Sequence, residues 1–587
     1  MASNKRLSFL LIAFITLIGV VFARTSSFYV VSASEKKSSS GLLVGESKYM
    51  PMRGVITDRM GAPLVTTQAS YNIRAQTRLM GGLQVTGEIT STVRPRLTVT
   101  DTGRMANLIA PVMGASAPAL KAKLDTLVMD YAGDRYSPTM LFSNVTLSQT
   151  YAITTALREQ KIAGIELEES AMRVYPQGDL AGPLLGFVSL QPLGYTGVEG
   201  YYEQKLAGVA GEINRRSLLD LISVTEEIDG ATIQLTLDSV LQNYVENRLA
   251  QAISATNSSG GSVIVMDSRT GAIYAWASAP GYDPAKATQI ANEQGAAVLR
   301  DQNISDAYEP GSVMKLLTIA AGLDSGKISR TQLFNDTGKF DVGGQYIYNS
   351  GYKKYGTVDL VDVLQESINV VAAQIAKDMT APIFYDYINR FGFGQRTGID
   401  LAGETVGLVR SYNDAGWTRA DLATNSYGQG IAASPLQVVS AINALANDGV
   451  IVQPYVVQQA SYPNGKTETR RPVQVRTTVS AQTAKAVREM AAQSIKDGMP
   501  KAMIPGYTLA GKTGTANWYK NGKKADTTIQ SFVGIVPASQ PRLTILVKLD
   551  EPNTAYARDS MGPIFHDIQE RAVRLLGIPP DVVVKSP

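Results

Sequence analysis

Glu309-Pro310-Gly311-Ser312-Val313-Met314-Lys315 sets a serine at the head of an apolar run and a lysine three residues on. Pro310 and Gly311 mark a helix start, and Val313, Leu316, Leu317, Ile319 and Leu323 cover most of the helix circumference, which predicts a buried helix. Ser312 then falls at the helix N-terminus, where free N–H groups and the dipole favour negative charge developing on its oxygen. Lys315 falls on the same face, one turn away. A serine hydroxyl is a poor nucleophile until a neighbour takes its proton, and the single histidine, His566, is far away in sequence. That disfavours a Ser-His-Asp triad. A lysine buried beside another cation loses its proton readily, so Lys315 is the candidate base. Taken alone, the stretch equally fits a capping serine followed by a surface lysine.

Two shorter stretches follow in order. Ser367-Ile368-Asn369 interrupts an apolar, helix-like segment, and a serine and an asparagine two apart do not share a helical face. A loop between two helices is predicted, with both side chains turned into a cleft; by itself the tripeptide also fits a turn or a cap. Lys512-Thr513-Gly514-Thr515 opens a strand-like run to Tyr519, with Asn521-Gly522 as a hairpin turn and a partner strand from Thr528. Small residues at Gly511, Gly514 and Ala516 leave this backbone open to an extended peptide, and Lys512 supplies a positive charge for a carboxylate. A glycine-rich edge strand with a solvated lysine is the competing interpretation.

Composition narrows the function classes. The chain has 587 residues, no cysteine and a net charge of +4. At least two domains are expected, without disulfides, thiolate catalysis or cysteine-rich zinc sites. No metal or cofactor is predicted, and without a basic stripe nucleic acid is not an expected partner. Lys5 and Arg6 precede an apolar run from Leu7 to Ala23, about 26 Å long as a helix, enough to span a bilayer with the N-terminus in the cytoplasm. A cleaved signal peptide ending at Val31-Ser32-Ala33 is the alternative. Either way the bulk of the chain is exported.

The predicted organisation is a cytoplasmic tip and membrane anchor over 1–33, a linker over 34–47 rich in serine, lysine and glycine, a first exported domain over 48–230, a second over 231–577 and a tail over 578–587. Arg53 to Arg59 leads through a turn at Met60-Gly61 into a strand at Leu64-Val65, and helical periodicity (Leu120, Leu124, Leu127, Val128) runs over 118–160. The second domain opens with a strand at 233–237 and Asp238 as N-cap of a helix. A hairpin pairs 262–266 with 272–276. Helices follow over 311–324, 358–379 and 435–447, then strands near 508–518, 528–536 and 542–549, and a last helix from Pro563 to Leu576. This order gives an α+β class, helices inserted between early and late strands of one antiparallel sheet.

Taken together, the three stretches match in order and spacing the signature of the serine acyl-transferases that bind penicillin. The chain resembles the class B penicillin-binding proteins over nearly its full length. Arg53 to Arg59, Gly197 to Tyr202 with Leu206-Ala207-Gly208, Leu235 to Gln242 and Glu309 to Ser312 are all similar to patterns of that family. The resemblance implies a transpeptidase domain on an elongated pedestal (dimerisation-like) domain, anchored by one N-terminal helix in the cell membrane. It implies a D,D-transpeptidase acting on peptidoglycan stem peptides that end in D-Ala-D-Ala, inhibited by β-lactams. By that analogy Ser312 is the nucleophile, Lys315 the base and Ser367 a proton shuttle, while Asn369 binds the donor peptide. Lys512 assists proton transfer, Thr513, Gly514 and Thr515 bind substrate, and the N–H groups of Ser312 and Thr515 form the oxyanion hole. Ile368 stands where β-lactamases and some transpeptidases carry aspartate. No glycosyltransferase domain is expected before the pedestal, which favours class B over the bifunctional class A; the resemblance also implies a polytopic membrane glycosyltransferase and division proteins as partners. The close of the chain, Leu575 to Asp581, is more similar to division-specific than to elongation-specific members.

Three alternatives share these motifs: a β-lactam hydrolase, a β-lactam sensor and a non-catalytic wall scaffold. A hydrolase needs a base that activates water against the ester, and Glu404 and Asp421 are the carboxylates that folding could bring there.

Overall fold

A computed structural model of the chain describes residues 47–49, 51–75, 100–130, 139–160, 162, 164–189, 193–214, 223–520 and 523–582. The expected anchor, the signal-peptide alternative and nearly all of the linker lie outside the described residues, as do the Asn521-Gly522 turn and the last five residues of the tail. Among the described residues no helix is long and apolar enough to cross a membrane. The chain divides into two compact units. The smaller holds a three-stranded antiparallel sheet of Ser47–Tyr49, Gly211–Asn214 and Ser223–Thr225.

The larger unit is built on two sheets. One has five antiparallel strands in the order Ile273–Ala279, Gly260–Asp267, Leu543–Asp550, Lys523–Val536, Ala510–Lys520. Gly260–Asp267 and Leu543–Asp550 are buried at every residue, and their centres, Val263 to Met266 and Ile545 to Val547, are apolar throughout rather than alternating. Alternate side chains enter different cores. Val263 and Val265 join Ile545, Val547 and Phe532 under the helices Ser239–Thr256 and Ala557–Leu575. Ile264 and Met266 join Leu546, Val533 and Ile535 in the larger core that also takes in Met314–Asp324, Asn369–Arg390, Pro435–Ala446 and Ala481–Gly498. Both faces are covered, and Ala510–Lys520 is one edge strand; the other edge, Ile273–Ala279, bonds to Tyr455 and to the Gln242 side chain.

The second sheet carries the pedestal sequence. Pro63–Ala75 pairs antiparallel with Thr139–Thr146 and Ile165–Val174, and the helices Thr100–Met113, Ala117–Asp130 and Leu147–Glu159 pack on it through Ile73, Met105, Ile109, Leu124, Val145 and Ile153. Through Ile56–Thr57, which pairs in parallel with Thr232–Leu235, this sheet runs on past residue 231 into Val457–Ser461. The expected boundary at 231 thus falls inside one sheet. Beneath it, Glu199 is fully buried between Arg53 (2.5 Å) and Arg173 (2.8 Å), with Glu203 2.6 Å from Arg53.

Several expectations are corrected in detail. Helical periodicity does not continue from 118 to 160: the strand Thr139–Thr146 interrupts it, with Leu141 and Val145 buried by pairing to a strand some 70 residues earlier that no local window reveals. Over 358–379 the chain forms two helices, Leu360–Gln365 and Asn369–Arg390, separated at Ser367 as the expected loop requires, and the second runs on to Arg390, passing Thr380 at φ 67°. The last helix starts at Ala557, not Pro563, because Met561 packs in the core and Ser560 Oγ donates to Gln530 Oε1, fixing the turn before the proline. The helix Ala481–Gly498 was not expected at all. Asp238 caps its helix as expected, accepting from Leu241 N at 3.0 Å.

Candidate active site

Ser312 sits in a 3-10 turn, Gly311–Val313, that leads directly into Met314–Asp324. Gly311 makes this entry possible. Its φ is 58°, and a Cβ there would stand 2.6 Å from the Thr515 carbonyl oxygen. Gly514 does the same from the other side, its missing Cβ leaving room for the Pro310 carbonyl at 2.6 Å. The two glycines let the edge strand lie against the turn that carries the serine.

Lys315 is wholly buried. Its Nζ lies 2.6 Å from the Ser367 carbonyl oxygen, 2.7 Å from Asn369 Oδ1, 3.0 Å from Ser312 Oγ and 3.1 Å from Ser367 Oγ. Ser367 Oγ donates to Ser312 Oγ at 2.7 Å. Burial, and next the charge of Lys512, hold the Lys315 amine well below the ordinary lysine range. A neutral amine has two hydrogens and one lone pair. The Ser367 carbonyl and Asn369 Oδ1 can only accept, so they take both hydrogens, and the lone pair is left to face the hydroxyls of Ser312 and Ser367. This is the arrangement a general base for Ser312 requires. Among the described residues no carboxylate forms an ion pair with the amine.

Lys512 is also buried, and burial lowers it to about 8; its Nζ donates to Thr513 O and Thr513 Oγ1, both at 3.2 Å. The two lysines are thus lowered for different reasons, Lys315 by burial and the charge of Lys512, and Lys512 by burial alone. Thr515 is exposed, beside Gly311.

The family "Penicillin binding protein transpeptidase domain" matches residues 261–570, and "Penicillin-binding Protein dimerisation domain" matches 48–235. The chain belongs to the class B penicillin-binding proteins. Penicillin-binding protein PbpB of Mycobacterium tuberculosis is 32% identical over 437 residues, 70% of this chain and 62% of its own length. The chain thus spans less than two thirds of that relative. Peptidoglycan D,D-transpeptidase FtsI of Escherichia coli is 28% identical over 542 residues, 90% of this chain and 85% of its own length. Among solved structures, penicillin binding protein 3 of Mycobacterium tuberculosis complexed with aztreonam matches with a TM-score of 0.67 and 25% identity, covering 92% of this chain and 100% of that one.

Within this penicillin-binding protein the structure brings Ser312, Lys315, Ser367 and Asn369 into one hydrogen-bonded cluster, with Lys512 to Thr515 along its edge. Glu404 and Asp421 are occupied elsewhere. Glu404 Oε1 accepts from Thr397 N and Thr397 Oγ1 and its Oε2 from Gly398 N. Asp421 Oδ2 accepts from Thr418 N and Thr418 Oγ1 as a capping box. His566 pairs with its neighbour Asp567 on the last helix. Sequence reasoning missed Tyr427, whose ring centroid is 5.9 Å from Lys315 Nζ, and Asn349, which holds the second motif. Neither stands in a pattern that separates it from an ordinary core tyrosine or loop asparagine.

Proposed function

We propose that this penicillin-binding protein is a peptidoglycan D,D-transpeptidase that cross-links stem peptides through an ester on Ser312. The observation that carries this is the buried Lys315 amine, with both hydrogens engaged by carbonyl-type oxygens and its lone pair left facing the Ser312 hydroxyl. Ser312 Oγ attacks the carbonyl between the two terminal D-alanines of a donor peptide as its proton passes to Lys315 Nζ. The C–N bond then breaks, Ser367 Oγ relays a proton to the departing D-alanine amine, and the acyl group stays on Ser312. The amine of an acceptor peptide attacks that ester, forms the new amide and returns the proton to Ser312. The donor adds alongside the edge strand Ala510–Lys520, which meets only one neighbour in its sheet. Charged Lys512 with Thr513 and Thr515 receives its terminal carboxylate, Gly514 gives the backbone its close approach, and the N–H groups of Ser312 and Thr515 receive the oxyanion.

β-Lactams acylate the same serine. The resemblance to FtsI and PbpB supports a role in septal wall synthesis, beside a polytopic membrane glycosyltransferase and division proteins, and Leu7 to Ala23 anchors the chain in the cell membrane with its catalytic part outside. A donor peptide ending in D-Ala-D-Ala, offered with an amine acceptor, tests the proposal. The expected result is release of one D-alanine per cross-linked product, lost in Ser312→Ala. Acylation by penicillin without any cross-linked product would instead indicate a sensor.

A further inference from the structure

Ser367 is not at rest in its backbone. Its φ is 57°, a left-handed conformation that non-glycine residues rarely adopt. That conformation lets one residue offer its hydroxyl to Ser312 and its carbonyl to Lys315 together. Something must hold it. On the preceding side, Ile368 N donates back to Val363 O at 3.1 Å, closing the helix Leu360–Gln365. On the following side the N-cap position is Ile368, whose side chain makes no capping hydrogen bond.

The missing cap comes from elsewhere in the chain. Asn369 N and Val370 N, the first two N–H groups of the helix Asn369–Arg390, both donate to Asn349 Oδ1, at 2.9 and 3.0 Å. Asn349 is buried and its orientation is fixed. Its Nδ2 donates to Asp336 Oδ2 at 2.8 Å and to Lys353 O at 3.0 Å, so the oxygen must face the helix. Asp336, with no exposed surface, is anchored in turn by Gly338 N on Oδ1 and Tyr355 N on Oδ2. The neighbouring Tyr348 carbonyl accepts from Asn369 Nδ2 at 3.1 Å, which turns Asn369 Oδ1 toward Lys315.

We propose that Asn349, backed by Asp336, is a positioning residue for acylation: it supplies in trans the helix cap that Ile368 cannot, and so holds Ser367 and Asn369 in register with Lys315 and Ser312. This rests on the function proposed above, and goes beyond it by naming what sets the geometry of the base. The inserted segment 334–358 thereby acts on the chemistry without touching the nucleophile.

The test uses the full chain and a fluorescent penicillin, with rapid mixing to separate the dissociation constant of the first complex from the first-order acylation rate. Penicillin reacting with the parent protein establishes the acylating serine independently of the inference, and the cross-linking assay above tests the function. Asn349→Ala is expected to lower the acylation rate about 30-fold or more while the dissociation constant moves less than about threefold, since misplacement of reacting groups is paid in rate. Exchanging the pair, Asn349→Asp with Asp336→Asn, keeps an acceptor for both N–H groups and a hydrogen bond between the two side chains, and is expected to acylate about tenfold faster than Asn349→Ala. A folded Asn349→Ala protein with an unchanged acylation rate, or with only weaker binding, overturns the inference. Should Asn349→Ala fail to fold, Asn349→Gln, which moves the acceptor by one methylene, decides: a slower acylation rate at an unchanged dissociation constant supports the inference, and an unchanged rate or weaker binding alone overturns it.

Discussion

Replacing Lys512 by methionine should make the protein more stable and disable it. Lys512 is 3% exposed, and burial lowers its pKa from 10.5 to about 8. That difference corresponds to about 3 kcal/mol by which burial disfavours the charged form. The sign follows from proton counts. Below pH 8 both native and unfolded chains carry the proton, and the native state bears the full penalty. Between pH 8 and 10.5 the unfolded chain binds more proton than the native one, so stability of the parent rises with pH; above 10.5 the penalty is gone. Methionine keeps most of the side-chain volume and carries no charge, but forfeits two hydrogen bonds to Thr513 at 3.2 Å, about 1 kcal/mol. Lys512→Met is therefore expected to be about 2 kcal/mol more stable than the parent at pH 7, and about 1 kcal/mol less stable at pH 11. Urea unfolding of both proteins at the two pH values measures this, and the difference between them cancels every group they share. A variant that is no more stable at pH 7, or whose advantage is the same at both pH values, would refute the reasoning. Acylation by penicillin should fall sharply in the same variant.

Other expectations follow from the same geometry. The acylation rate should fall on acidification through the lowered pKa of Lys315, because protonation removes the lone pair that receives the Ser312 proton; removing the charge of Lys512 should move that limb upward, since Lys512 is a cause of the lowering. A rate–pH profile of the parent beside Lys512→Met checks both. Glu199→Gln leaves Arg53 and Arg173 buried without their shared carboxylate and should cost roughly 3–5 kcal/mol of stability by urea unfolding, with the acylation rate of the folded protein unchanged. Gly514→Ala drives a Cβ to 2.6 Å from the Pro310 carbonyl and 2.5 Å from Ser531 Oγ, and should depress acylation by more than about tenfold, read as slower labelling by fluorescent penicillin.

The sequence carried the catalytic cluster because its chemistry is written locally. Ser312 and Lys315 are one helical turn apart, the loop at Ser367 shows as a break in an apolar run, and Gly514 marks a strand made for close approach. The central strands were legible for a related reason: burial on both faces leaves Val263 to Met266 and Ile545 to Val547 as apolar runs without polar alternation, Thr544 and Lys548 flanking the second. What was not legible depends on partners distant in sequence. Thr139–Thr146 is a strand because Pro63–Ala75 lies beside it. Ala481–Gly498 buries one face that mixes small apolar residues (Ala484, Val487, Met490, Ala491, Ile495) with Thr483, Arg488 and Ser494, a weak apolar signal. Asn349 looks like any polar residue in a tyrosine-rich loop until folding sets its amide over the first turn of another helix.

The central claim is that Ser312 forms an ester which water does not readily reach. Intact-mass measurement of the full chain after mixing with penicillin, followed over time and mapped by peptide digestion, tests it directly. The account predicts a single adduct on the peptide containing Ser312, absent in Ser312→Ala and persisting for many minutes, because the carboxylates of Glu404 and Asp421 are already engaged by Thr397 and Thr418. An adduct on another residue would contradict the assignment of the nucleophile, and rapid return to the unmodified mass with penicilloate accumulating would mark the protein as a β-lactam hydrolase instead.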